Sequence, residues 1–382
     1  MTYKRILLKG AALMLSASML AATGCDSSDS SGSSDSEPKV YSECEKAQKA
    51  VDKFGAGWNL GNTLDATGGS RDDVFSCETS WGNPETTQEM ITLVKESGFN
   101  AVRVPVTWNN HIDEDGTVDK EWMDRVQEIV DYVVSEDLYC IINVHHDGGE
   151  NGWVKATNES YEKYGDRFGK IWEQVAERFA DYDEKLLFES INEILDKSNN
   201  WNGGGRGESV EALAKYNQKF VDTVRAGEGY NKTRNLVIMT YAGSYGKIKN
   251  LELPKDTADG HMLLEVHDYD PQGFCWKNAS WTNMTDEWGS DEDKQAIDAS
   301  MKQIADDAKE KGLPVIIGEY GSQDKGGNED ARALHAGYFT KAAKDNGIKC
   351  FWWDCEAFAI IDRTMLEQKC PKIVEAIIEA VK

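Results

Sequence analysis

The chain has 382 residues, of which 40% are hydrophobic and 10% aromatic, enough to enclose a large core. Its 67 acidic against 42 basic residues give a formal charge of −25, which argues against nucleic acid, anionic membrane surfaces and anionic substrates as partners and favours solubility. The 12 Trp and 14 Tyr supply flat faces of the kind that stack on sugar rings, although most of them are expected in the core.

In chain order, the first element is a targeting segment. "MTYKRILLKGAALMLSASMLAATGC" carries Lys4, Arg5 and Lys9, then an apolar stretch, then small residues ending at Cys25. That is the pattern of a signal peptide over residues 1–24. "AATGC" is similar to a bacterial lipoprotein cleavage box with Cys25 as the lipidated residue, and departs from it at Ala22, where that box has Leu. A cell-surface lipoprotein is expected, with ordinary secretion as the alternative, so membrane contact would run only through the lipid. Residues 25–40, rich in Ser and Asp, have nothing to bury and read as a disordered tether. Residues 41–382 are left as one catalytic domain. Their seven cysteines are odd in number and show neither CxxC pairs nor zinc-like spacing. Cys140 and Cys350 fall in apolar runs and read as buried thiols, while Cys44–Cys77 or Cys355–Cys370 could pair.

Beyond the tether, short β-rich runs occur at 55–61, 100–106, 139–146, 186–193, 235–241, 261–269, 313–321 and 348–354. Amphipathic helical stretches such as "DKEWMDRVQEIVDYVVSED" separate most of them, with apolar residues at three- and four-residue spacing. The fifth connection, "GSYGKIKNLELP", is short and poorly helical. Eight strands alternating with helices predict a single (β/α)8 TIM barrel, with a doubly wound sheet as runner-up.

A barrel collects its chemistry at the C-terminal ends of the strands. Those ends carry Arg103, His145-His146-Asp147, Asn192-Glu193, His267-Asp268-Tyr269, Glu319-Tyr320 and Trp352-Trp353-Asp354. Glu193 and Glu319, read as ending the fourth and seventh strands, suit glycoside hydrolysis, in which one carboxyl protonates the leaving oxygen and the other attacks or activates water. Arg103 beside Glu319 is expected to hold it ionised and lower its pKa. Asn192 could hold a sugar 2-hydroxyl, His and Tyr could orient the nucleophile, and an aromatic of the eighth strand could carry the ring. A metal-dependent hydrolase on His145, His146, Asp147, His267 and Asp268 is a rival reading. It is disfavoured because neighbours on a strand point to opposite faces. A catalytically dead glycan-binding barrel is another, disfavoured because both glutamates are present.

"GWNLGNTLDA", "ETSWGNP", "VRVPVTW", "INVHHD", "VHDY" and "IIGEYGS" resemble glycoside hydrolase family 5, the cellulase A family, and most of all its subfamily 4, in the right order from about Ala47 to the end. The resemblance implies a retaining endo-β-1,4-glucanase acting on a neutral β-glucan, with xyloglucan- or mannan-specific hydrolysis as the alternatives. It implies no cofactor and no metal, and a monomer is the default. It matches Glu193 to the acid/base and Glu319 to the nucleophile, and Asn192, Arg103, His145, His267 and Tyr269 to their supporting groups. Trp353, with Trp352 as rival, matches the substrate-binding aromatic. Asn59, His146 and Trp153 are looser substrate contacts. The family has Pro after the acid/base. Here Ile194 stands instead, taken to adopt the same extended conformation, and activity is expected to survive.

Overall fold

All eight runs form parallel strands: β1 (Gly57–Leu60), β2 (Ala101–Val104), β3 (Tyr139–Asn143), β4 (Leu186–Glu189), β5 (Leu236–Ser244), β6 (Met262–His267), β7 (Val315–Tyr320) and β8 (Lys349–Asp354). They close in sequence order, β8 pairing with β1, into a barrel. This computed structural model describes residues 39–382, of which Tyr41–Lys382 form one unit. The proposed leader, Cys25 and nearly all of the tether lie outside the described residues.

The helices are α1 (Ala47–Lys53), α2 (Val74–Glu78), α3 (Gln88–Glu96), α4 (Lys120–Ser135), α5 (Asn158–Arg178), α6 (Glu208–Ala226), α7 (Gln272–Cys275), α8 (Asp291–Lys311), α9 (Glu329–Asp345) and α10 (Pro371–Val381). Local chemistry sets their limits. The α8 helix starts at a capping box of Ser290 and Asp293 and ends at Gly312, whose φ of +75° suits a residue without Cβ. Between β5 and β6, where the sequence is poorly helical, Tyr245–Asn250 make only a 3₁₀ turn.

Period-two alternation divides each strand between two cores. Trp58, Val102, Val104, Ile142, Phe188, Ile238, Val266, Ile317 and Trp352 pack outward beneath the helices. Ala101, Tyr139, Ile141, Leu187, Val237, Leu263, Ile316 and Phe351 fill the lower interior, sealed by Ala47, Ala50, Val51 and Phe54. One step higher the inward phase turns polar: Asn59, Arg103, Asn143, Glu189 and Glu265 are all fully buried. The mouth lies directly above this layer.

Two expectations about strand ends are corrected. β4 stops at Glu189, so Glu193 stands on the following loop with φ +41°, and is neither a strand residue nor extended. β3 stops at Asn143, so strand alternation does not govern His145 and His146; their rings meet edge to face with centroids 4.5 Å apart. All seven described cysteines are buried free thiols, including the two pairs considered for disulfides.

Candidate active site

The polar layer is organised by Arg103. Its side chain has no solvent access, so each N–H must find a protein acceptor. Nε and Nη2 donate to the two carboxylate oxygens of Glu189 at 2.6 and 2.8 Å, a bidentate pair. Nη1 donates to Glu319 Oε1 at 2.8 Å and to Asn59 Oδ1 at 3.0 Å, and Nη2 also to Asn192 Oδ1 at 2.8 Å. Glu265 Oε1 lies 3.1 Å from Nε. Gly318 makes room for that carboxylate, since a Cβ there would fall 1.6 Å from Glu265 Oε1.

Glu319 thereby has one oxygen on Arg103 and the other accepting the Tyr269 hydroxyl at 2.9 Å. His267 bridges the site: Nδ1 sits 2.8 Å from Glu193 Oε1 and 3.5 Å from Glu319 Oε2, and Nε2 sits 3.3 Å from Glu265 Oε1. One oxygen each of Glu193 and Glu319 and a ring nitrogen of His267 lie mutually within 4.8 Å. Glu193 remains partly open, its side chain 24% exposed against 7% for Glu319.

Burial opposes a charge on His267, but Glu319, Glu193 and Glu265 outweigh it and push its pKa up to about 10. Burial lifts Glu265 to about 7, with Arg103 pulling it down and Glu189 adding to the rise. Burial also works to raise Glu189, yet Arg103 overcomes it and holds that carboxyl below the usual range. For Glu319, burial exceeds the pull of His267 and Arg103, and the carboxyl is raised. The net lowering expected from Arg103 alone is not found, because the same seclusion that brings the guanidinium close also strips the carboxylate of water.

Asn143 sets the state of His145. Its Oδ1 accepts the Val106 N–H at 3.0 Å, so its Nδ2 must be the group facing Glu189 Oε1 at 2.9 Å and His145 Nδ1 at 3.0 Å. His145 Nδ1 is therefore an acceptor, and the proton sits on Nε2. Burial first, then the charges of His146, Arg103 and His267, keep this imidazole well below its usual pKa and hence neutral. Trp353 stacks on it at 5.8 Å with the planes 6° apart. Trp352 instead buries its ring in the outer core and donates Nε1–H to Phe358 O, so of the two rivals only Trp353 reaches the site.

The looser candidates separate. Asn59 is corrected as a substrate contact. It is fully buried below the mouth, where Nδ2 contacts the Gly318, Phe351 and Trp352 carbonyls and Oδ1 holds Arg103. His146 is half-open, 3.4 Å from Asp65 Oδ2, with Trp81 at 5.3 Å. Trp153 donates Nε1–H to Asp147 and packs against Tyr164 and Arg167. Glu189, Glu265 and Asn143 went unnoticed in the sequence reading, although each stands at the inward phase of an apolar strand, and that was the available signal.

Residues 64–359 match the cellulase family, glycosyl hydrolase family 5. The chain is 37% identical over 351 residues to endoglucanase A of Clostridium longisporum, covering 88% of this chain and 66% of that protein. Among solved structures it is similar to a GH5-4 broad-specificity endoglucanase from Ruminococcus champanellensis with bound cellotriose (TM-score 0.81, 37% identity, 89% of this chain and 100% of that one). A family 5 enzyme from Prevotella bryantii B14, in complex with a xyloglucan tetradecasaccharide, is similar at TM-score 0.82 and 40% identity, covering 90% of this chain and 100% of the other.

Proposed function

We infer what this chain does from one premise: it belongs to glycosyl hydrolase family 5. It hydrolyses internal β-1,4-glucosidic bonds of neutral β-glucans, of cellulose type and mixed linkage, with retention of anomeric configuration. The observation that supports retention is that one oxygen of Glu193 and one of Glu319 lie within 4.8 Å of each other, both facing His267 Nδ1 at 2.8 and 3.5 Å. Retaining pairs stand about 5–5.5 Å apart, whereas inverting pairs need about 6.5–9.5 Å to admit a water between them.

In the first step the Glu193 carboxyl gives its proton to the glycosidic oxygen while a Glu319 oxygen attacks the anomeric carbon. The C–O bond to the leaving chain breaks and a glycosyl ester on Glu319 forms. In the second, Glu193 takes a proton from water, whose oxygen attacks the same carbon and returns Glu319 as carboxylate. Arg103 and Tyr269 aim the nucleophile by holding one oxygen each. Because Asn192 Oδ1 is taken by Arg103, its Nδ2 donors are left for the sugar 2-hydroxyl. His145 offers Nε2–H to another hydroxyl, over the face of Trp353. No step calls for a cofactor.

Xyloglucan is the second substrate reading, favoured by the oligosaccharide held in the Prevotella bryantii enzyme. Export with lipidation at Cys25, followed by action as a tethered monomer at the cell surface, belongs to the same proposal. Palmitate labelling lost in Cys25→Ala tests it. For the activity, reducing-sugar release is measured on carboxymethylcellulose, barley β-glucan, xyloglucan and mannan. Glu319→Ala is expected to lose turnover and to recover it partly with azide on 2,4-dinitrophenyl β-cellobioside, yielding the inverted glycosyl azide. Full activity of Glu319→Ala would overturn the assignment, and no turnover of any polymer by folded wild type would overturn the function.

A further inference from the structure

Glu193 holds φ +41°, a conformation that a residue with a Cβ keeps only when its surroundings fix it. Proline would ask the preceding residue for an extended backbone, and this chain has Ile194 there in any case. The restraint comes from β5. Past Met239 the pairing with β6 breaks and resumes at Ser244, opposite His267, so the strand bulges beside the acid/base. Within the bulge Ala242 and Gly243 stand at φ +56° and +63°, and the Thr240 hydroxyl donates to Ser244 O at 2.9 Å to close it.

Three contacts run from this bulge to the loop. The Glu193 N–H donates to Met239 Sδ at 3.2 Å, the thioether acting as acceptor at a buried site. The Ala242 N–H donates to Ile194 O at 3.1 Å. Gly243 backs the side chain, for a Cβ there would lie 3.4 Å from Glu193 Cγ and 3.1 Å from the His267 ring. On the other flank Asn192 is pinned by its N–H to Val144 O at 2.8 Å and by Arg103. Glu193 is thus gripped on both sides.

We propose that Met239 and the Ala242–Gly243 bulge of β5 are positioning residues for the acid/base, setting the left-handed turn that carries Glu193 to the glycosidic oxygen and to His267. The inference rests on Glu193 being that acid/base. It separates from a purely structural role because kcat/KM reports the first, bond-breaking step, and in that step only leaving groups that need a proton should notice it. The glycosidic oxygen of β-glucan needs one, and 2,4-dinitrophenolate does not.

The test compares kcat/KM on barley β-glucan and on 2,4-dinitrophenyl β-cellobioside for wild type, Met239→Leu, Met239→Gln, Gly243→Ala and Glu193→Gln, with melting curves to confirm folding. General acid help is worth ~10²–10⁴-fold, so partial misplacement should cost about tenfold or more on β-glucan and little on the activated substrate. Met239→Leu and Gly243→Ala are expected to show that selective loss, and Met239→Gln, which restores an acceptor, to recover part of it. Equal losses on both substrates, or none on either, would overturn the inference. If Glu193→Gln is selective and the β5 variants are not, the inference alone fails. If Glu193→Gln shows no selectivity, the acid/base reading fails with it.

Discussion

Glu265→Gln removes a charge from the sealed layer while keeping nearly the same shape. Glu265 is fully buried, with Oε1 at 3.1 Å from Arg103 and 3.3 Å from His267 and Oε2 without a hydrogen-bond partner. Burial and Glu189, against Arg103 and His267, raise its pKa from 4.5 to about 7. Over that range the native protein keeps a proton that the unfolded chain has released. The group's contribution to stability is therefore complete below about 4.5 and is lost as pH rises through about 7. The interval corresponds to about 3 kcal/mol as a ceiling. Glutamine has nothing to titrate, and its Oε1 still accepts from His267 and stays beside Arg103. Relative to wild type, the variant should gain stability steadily from pH 4.5 to pH 8, by up to about 3 kcal/mol. Urea denaturation followed by Trp fluorescence across that range measures it. A wild-type-minus-variant difference that stays constant with pH would refute the reasoning, because it would mean that Glu265 does not change protonation between the two states.

Nitrogen-15 spectra of histidine-labelled protein at neutral pH should show His145 neutral with its proton on Nε2, and Asn143→Asp, which replaces the donor by a carboxylate oxygen, should move that proton to Nδ1 and lower kcat/KM; a wild-type Nδ1–H signal would contradict the Asn143 geometry. Gly318→Ala should fail to fold or lose roughly 4 kcal/mol or more, since the added carbon would overlap Glu265 at 1.6 Å and break the Arg103 network; an unchanged melting temperature would show that Glu265 does not occupy that space. Ellman's reagent should leave the thiols of residues 41–382 unmodified in the native state and titrate all seven after denaturation, and dithiothreitol should not shift the melting temperature, as free buried cysteines require. A shift would reveal a disulfide.

The barrel was legible because strands covered on both faces must be apolar in both phases, and eight such runs between amphipathic helices admit few closures. The signal for the polar layer lay in the phase of the strands. Glu189 and Glu265 follow Leu187 and Leu263 by two residues, so they face the axis above the apolar plug. Asn59, one layer below the mouth, was misread as a substrate contact because a residue near a strand end looks the same in sequence whether it reaches the cleft or supports it. His145 and His146 were assigned to opposite faces by a rule that lapses after Asn143, the last paired residue of β3. The backbone of Glu193 was least legible. No residue type in "INEIL" announces a left-handed turn, and the acceptor for its N–H lies 46 residues away on β5. A closed barrel explains the contrast. Inward charges on separate strands cannot reach water and can meet only near the axis, so Arg103 on β2 must find Glu189 on β4 and Glu265 on β6 once the strands and their phase are known. Beyond the last paired residue no such periodicity applies, and the placement of the acid/base depends on how its loop meets a bulge in another strand.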